Sequence, residues 1–278
     1  MAGTLAMAAC AFLWSTAGIF IKLIDWHPFA IAAARSAVAA VFLWIALRRP
    51  RFSFSFDQLS TALAYAATMI LFVVANKLTT PANAILLQYG APVYVAILGS
   101  FMLKEKPKPE HWGALAAVCA GMVLFFSDSL GKGNFIGDCI AALAGLTFAL
   151  NIVMLRKQKN ASPTESLLLG HIFTALIAGG ISLFLPAPAL SFRSGLAILA
   201  LGVLQIGMAS LLFSYGIKRI TALESILTAV IEPLFNPLWV FLATGEAPGL
   251  RALTGGAVII GAVLISSYVS VRRAQKAL

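Results

Sequence analysis

The chain has 278 residues, 60% of them hydrophobic and 11% charged, with a mean hydropathy of +0.94. Soluble domains are about 45–50% apolar and about 25% charged, and disorder needs low hydrophobicity, so the composition excludes both. Its 20 Lys and Arg against 10 Asp and Glu, a net charge of +10, are scattered between apolar runs and not gathered into the stripe of a nucleic-acid binder.

A bilayer-spanning helix needs about 20 apolar residues, and runs of that length follow one another along the chain. The first, 4–24, has no Lys or Arg before Lys22 and no small-residue cleavage site, so it reads as a transmembrane helix and not as a removable signal. After His27-Pro28 comes 28–47, closed by Arg49-Pro50, then 57–77 and, after Thr80-Pro81, 82–103. The run Lys106-Pro107-Lys108-Pro109 precedes 110–127, and Ser162-Pro163 separates 135–155 from 164–185. The last three are 194–215, 222–244 and 250–271. Proline at these junctions suits a first helical turn and cannot continue a helix from its interior. Ten spans leave no room for a soluble domain.

Taking alternate loops sorts the charge. Loops at 48–51, 104–108, 156–159 and 218–219, with the tail from 272, hold fourteen Lys and Arg; the others hold five, Lys22, Lys77, Lys132, Arg193 and Arg251. Positive loops stay in the cytoplasm, so both termini are expected there. Arg35 alone lies inside a span. Cys10, Cys119 and Cys139 fall in apolar runs without CxxC spacing, and His27, His111 and His171 lack metal-ligand spacing, so neither a disulfide framework nor a metal is expected.

A shift of 141 residues lays Phe72–Pro107 on Phe213–Pro248 without a gap. Eight of these 36 pairs are identical: Phe72, Lys77, Thr80, Ile85, Leu86, Pro92, Glu105 and Pro107 meet their own kind. About three would arise from such biased composition, and apolar bias does not put Lys, Pro and Glu in register. Upstream, Gly3–Lys22 fits Gly137–Arg156 and lays Trp14 over Phe148. The chain thus divides into 1–130 and 131–278, five helices each, and an odd number makes the second copy enter from the opposite side. The expected fold is an all-α integral membrane protein, ten transmembrane helices in two five-helix inverted-topology repeats around a central cavity, an architecture of secondary transporters.

The Pro-broken helix that ends in a Glu-Pro turn occurs twice, Ala91-Pro92 to Glu105-Lys106-Pro107 and Glu232-Pro233 to Gly245-Glu246-Ala247-Pro248. With Trp14 or Phe148 at the middle of each opening helix, this pattern resembles the EamA-type repeats of the drug/metabolite transporter superfamily. The resemblance covers essentially the whole chain in two copies. In size and ten-helix layout the chain is most similar to the bacterial amino-acid and aromatic-metabolite exporters. It departs at Lys104, which stands where Gly245 precedes the second Glu.

Polar side chains at mid-bilayer are costly and mark functional candidates. Ser225, Thr228, Glu232, Asn236 and Trp239 recur at helical spacing on one face of the ninth span. Pro233 removes an N–H and frees the Ala229 carbonyl one turn back. Glu232 either meets substrate, as an ammonium partner or a coupling-proton site, or is structural, pairing with Arg35 or capping a neighbouring helix. Gln88 lies one turn before Pro92, Gln205 deep in the eighth span, and Thr147 with Asn151 in the sixth; each amide is substrate contact or interhelical glue. Trp14 stands mid-helix where Trp is unusual, fit to stack on an aromatic substrate or simply to pack. Of Tyr89 and Tyr94 only one is expected to face inward. His171 is a satisfied core residue or a proton relay. Gly179-Gly180, Gly255-Gly256 and Gly261 are expected to let helices approach closely.

The expected substrate-binding set is therefore Trp14, Gln88, Asn151, Gln205, Thr228, Glu232, Asn236 and Trp239, without a catalytic residue, metal or cofactor. The expected function is export of amino acids or related small aromatic or amphipathic metabolites by alternating access in the bacterial inner membrane. The partners are a small-molecule substrate and membrane lipid, no nucleic acid, with the monomer self-sufficient. Alternatives are transport of a drug, sugar or nucleoside, or an intramembrane lipid-modifying enzyme; phosphorylated substrates would want more cavity cations than Arg35.

Overall fold

The structure, a computed structural model, describes residues 2–22, 24–79, 81–127, 134–244 and 249–276. Every element among them is helical. In chain order they are α1 (Ala2–Ser15), α2 (Ala17–Lys22), α3 (Pro28–Leu47), α4 (Phe56–Leu78), α5 (Pro81–Gln88), α6 (Ala91–Met102), α7 (Pro109–Phe126) and α8 (Phe135–Lys157). Then come α9 (Pro163–Ser182), α10 (Phe192–Ala200), a π-helix (Leu201–Met208), α11 (Ala209–Ile217), α12 (Ala222–Ala229), α13 (Ile231–Thr244) and α14 (Leu250–Lys276). Grouped where the chain continues without turning back, α1–α2, α5–α6, α10–π–α11 and α12–α13 each occupy one of the ten expected segments. Among the described residues seven segments are long and apolar enough to cross a membrane on their own, including Pro28–Leu47, Phe135–Lys157 and Phe192–Ile217. Ala2–Ser15 and Leu250–Ser266 are shorter apolar helices.

Local chemistry sets the ends. Pro28, Pro109 and Pro163 occupy first turns, where a missing N–H costs nothing. Asn134 accepts from the Ile136 N–H, and Thr221 with Glu224 forms a reciprocal capping box. The two interior breaks are matched: α5 ends at Gln88 and α12 at Ala229, four residues before Pro92 and Pro233. Each proline denies that carbonyl its N–H and crowds it with the ring.

Packing follows the same duplication. α4 lies against α8 as α11 lies against α1, and α8 meets α5 and α6 as α1 meets α12 and α13. The pairs α3–α9 and α7–α14 bring repeat mates face to face, and α6–α12 joins the mated fourth and ninth segments. The common core gathers Met7, Val118, Ile152, Leu155, Ile217 and Ile226, all but inaccessible. Large apolar residues such as Phe101, Leu176, Phe192 and Leu264 are exposed outside, as expected of a surface solvated by lipid. Of the glycines expected at close contacts, Gly255 is one: a Cβ there would stand 2.6 Å from the Gly121 carbonyl and 2.5 Å from the Phe125 nitrogen. The expectation fails for the others, since a Cβ on Gly179 or Gly256 meets nothing nearer than 3.8 Å and one on Gly180 or Gly261 nothing within 4 Å.

Candidate substrate cavity

A cavity of about 420 Å³ opens between the halves, walled by α1–α5, Tyr89 in the break after α5, α8, α9, the π-helix, α11 and the start of α13. Its walls are mostly apolar with a few polar groups, the usual make-up of a small-molecule site, and its volume falls within the range of about 300–1,000 Å³ for such sites. Trp14, Gln88, Asn151, Gln205 and Glu232, proposed from sequence, all line it.

Trp14 sits in an aromatic bay. Its ring stacks on Phe213 at 5.5 Å between centroids and meets the edge of Phe148 at 6.2 Å. Trp14 and Phe148 are repeat mates, as are Phe72 and Phe213, and all four reach the cavity. The duplication thus supplies ring surface from both halves.

Glu232 comes from the first turn of α13, just past the Pro233-linked break. Its Oε2 accepts from the Tyr89 hydroxyl at 2.5 Å, so the breaks in the two halves meet through this bond. Tyr89 lines the cavity; Tyr94 packs, half-buried, against the core. The alternative weighed for Glu232, a pairing with Arg35, is not formed. Arg35, buried on α3, has Nη2 3.6 Å from Met69 Sδ, a weak acceptor, and its Nε has no partner. Both charges line the cavity. A charge at the bilayer centre costs about 2.5–3.5 kcal/mol on insertion scales.

Gln205 lies within the π-helix, its Nε2 donating to the Trp14 carbonyl at 3.3 Å and its Oε1 buried without a partner. Ser210, five residues on, lines the same wall. On an α-helix these would stand about 140° apart; i→i+5 bonding widens the turn and brings them to one side. Sequence periodicity, read as α throughout, missed Ser210. Asn151 donates to the Thr61 carbonyl at 3.1 Å, bracing α8 against α4, so it is both wall and glue.

Two sequence-proposed residues lie elsewhere. The break after Ala229 ends the continuous face on which the ninth-span set was read. Thr228 is buried and turns its hydroxyl back to the Glu224 carbonyl at 2.8 Å. Trp239 donates from Nε1 to Ser15 Oγ at 2.9 Å and meets Phe12 edge-on. Neither is on the wall. The side chain of Asn236 and the second Glu-Pro turn, Gly245 to Pro248, lie outside the described residues.

His171 is fully buried, with Nε2 3.3 Å from the Tyr65 hydroxyl and 3.1 Å from the Ser210 hydroxyl. It stands behind the wall that Tyr65 and Ser210 form, a long-range triad from three helices that no linear spacing reveals.

One end of the bundle is tied together by polar contacts. Arg156, in the last turn of α8, places Nε 2.7 Å from Glu105 Oε1 and donates from Nη1 to the Ile217 carbonyl at 2.9 Å. Glu105 Oε2 also accepts from the Ala222 N–H at 3.0 Å. Beside it, Lys157 pairs with Asp57, and Gln158 bonds Thr61 and Ser166. Glu105 stands three residues beyond α6, after Lys104 turns the chain with φ 58, a left-handed conformation that glycine adopts more readily.

Sequence comparison places these features in a family context. The family model described as the EamA-like transporter family matches residues 1–127 and again 135–268. An uncharacterized transporter of Archaeoglobus fulgidus is 32% identical over 202 residues, 72% of each chain. The uncharacterized transporter YcxC of Bacillus subtilis is 24% identical over 90% of this chain and 84% of its own. The aromatic amino acid exporter YddG of Ancylobacter novellus is 24% identical over 71% of each. A solved crystal structure superposes with a TM-score of 0.86 at 22% identity, covering 97% of this chain and 98% of the other.

Proposed function

Because this chain belongs to the EamA-like transporter family, we propose that it is a secondary transporter exporting amino acids or related small aromatic or amphipathic metabolites across the bacterial cytoplasmic membrane. The observation that carries this reading is the cavity between the halves, large enough for one such molecule, with an aromatic bay of Trp14, Phe148 and Phe213 beside the charges of Arg35 and Glu232. The similarity to a named aromatic amino acid exporter points the same way.

The division into 1–130 and 131–278 supplies the moving parts. With the fourteen-cation loops in the cytoplasm, both termini are cytoplasmic, and the Arg156–Glu105 tie closes that side. Ile21 and Val73, near the ends of α2 and α4, and Pro28, at the start of α3, line the cavity on the side away from the tie, so this state faces outward. Rocking the halves about Tyr89–Glu232 while the tie parts would turn the site inward. One chain holds both halves, so the monomer suffices.

The test is counterflow in liposomes bearing the purified protein, with a panel of labelled amino acids set against sugars, nucleosides and cationic drugs. Exchange of amino acids, aromatic ones foremost, is expected. Exchange of sugars or drugs with no amino acid exchanged overturns the reading.

A further inference from the structure

Three polar groups on the cavity wall are left with unused bonding capacity. Arg35 is buried, and among the described residues its guanidinium meets no carboxylate or carbonyl, only the Met69 sulfur at 3.6 Å, with Nε unpartnered. Gln205 is held by the bond from its Nε2 to the Trp14 carbonyl, which fixes the direction of the amide and leaves Oε1 as a buried acceptor without a donor. Glu232 receives one bond at Oε2, from Tyr89. Arg35 and Glu232 line the same cavity without forming an ion pair with each other. A buried donor fork, a buried acceptor and a carboxylate around one space, beside an aromatic bay, describe the complement of a molecule carrying an anion, a cation and an apolar body.

We propose that Arg35, Glu232 and Gln205 form a headgroup clamp that selects zwitterionic α-amino acids: Arg35 takes the carboxylate, Glu232 and Gln205 Oε1 take the ammonium, and Trp14, Phe148 and Phe213 receive the side chain. The clamp rests on the transport reading and narrows it to one substrate class. The guanidinium presents parallel N–H donors matched to a carboxylate. An ammonium is donor-only, with three N–H groups, and requires acceptors such as those of Glu232 and Gln205. A zwitterion answers both charges at once. An amine leaves Arg35 uncompensated and a deaminated acid leaves Glu232 uncompensated, so each analogue forfeits a charge-assisted bond, about tenfold or more in affinity.

The experiment uses the full chain in liposomes and three labelled probes that share one side chain: phenylalanine, phenethylamine and 3-phenylpropionate. Wild-type protein is expected to prefer phenylalanine over either analogue by about tenfold or more. Arg35→Gln lowers the phenylalanine-to-phenethylamine preference about tenfold, and Glu232→Gln lowers the phenylalanine-to-phenylpropionate preference about tenfold, each with the other preference little changed. Arg35→Lys, which keeps the charge and loses the fork, falls between. Monodispersity and melting temperature in detergent establish that each variant is folded, and Gln205→Leu, which removes the neutral acceptor together with the bond to the Trp14 carbonyl, stands in for Glu232→Gln should that variant unfold. If both substitutions lower all probes in parallel, or leave the preferences unchanged, the clamp is overturned while amino-acid transport stands. If none of the probes and no amino acid is exchanged, the transport reading falls and the clamp with it.

Discussion

Arg156 holds Glu105 through Nε at 2.7 Å while its Nη1 holds the Ile217 carbonyl at 2.9 Å. The two residues thus join the end of α8 to the turn after α6 and the end of α11, and Glu105 adds the first N–H of α12. Arg156 is nearly buried and Glu105 half-buried, so the pair is stronger than an exposed one and weaker than one sealed in a core. Arg156→Ala is expected to lower stability by about 1–3 kcal/mol, read as a fall in melting temperature in detergent. It should also raise labelling of a Leu167→Cys reporter on the cavity wall by a membrane-impermeant thiol reagent applied from the cytoplasmic side. Unchanged labelling would remove this tie as a gate.

Tyr89→Phe keeps the ring and deletes the donor that, among the described residues, reaches Glu232. Exchange is expected to fall about tenfold, equivalent to about 1.4 kcal/mol, with melting temperature nearly unchanged because the cavity admits water to the carboxylate. A loss no greater than twofold would leave the bond without a role in transport.

Trp14→Phe and Trp14→Ala grade the aromatic bay. Aromatic pairs contribute about 0.5–1.5 kcal/mol beyond burial. Binding of an aromatic amino acid should weaken severalfold on Trp14→Ala and less on Trp14→Phe, while binding of an aliphatic one changes little. Equal losses for both substrates would assign Trp14 to packing alone.

Gly255 and Gly180 separate contact from composition. A side chain at Gly255 drives into Gly121 and Phe125 backbone, whereas Gly180 has open space. Gly255→Leu is expected to cost several kcal/mol and to lower expression and melting temperature, since backbone atoms cannot repack as side chains do. Gly180→Leu should be silent in both measurements.

Much of the fold was legible in the sequence because its determinants are local. Pro92 and Pro233 act on carbonyls four residues back, and the helices end at Gln88 and Ala229 accordingly. The duplication was legible as identities in register, Lys77 with Lys218 and Pro92 with Pro233. The cavity was legible only in part. Trp14, Gln205 and Glu232 stood out because each is unusual for its depth in the bilayer, and that cost is intrinsic to the residue. Membership of a wall depends on rotation about a helix axis, which periodicity conveys only while the helix is regular. Where the ninth span breaks, Thr228 and Trp239 leave the face; where the eighth widens, Ser210 joins it. The contacts of Tyr89 with Glu232 and of Tyr65 with His171 join distant parts of the chain, and no spacing encodes them.

The widened turn at Leu201–Met208 also constrains how this wall can change. A point substitution alters one side chain, but a deletion of one residue between Leu201 and Gln205 that relaxed the segment to ordinary winding would leave Gln205 and Ser210 about 140° apart. The amide would lose the Trp14 carbonyl and the cavity would trade an acceptor for whatever side chain rotated into its place. Length variation inside a single transmembrane helix, ordinarily a disruption, is here a way to change which side chains face the cavity.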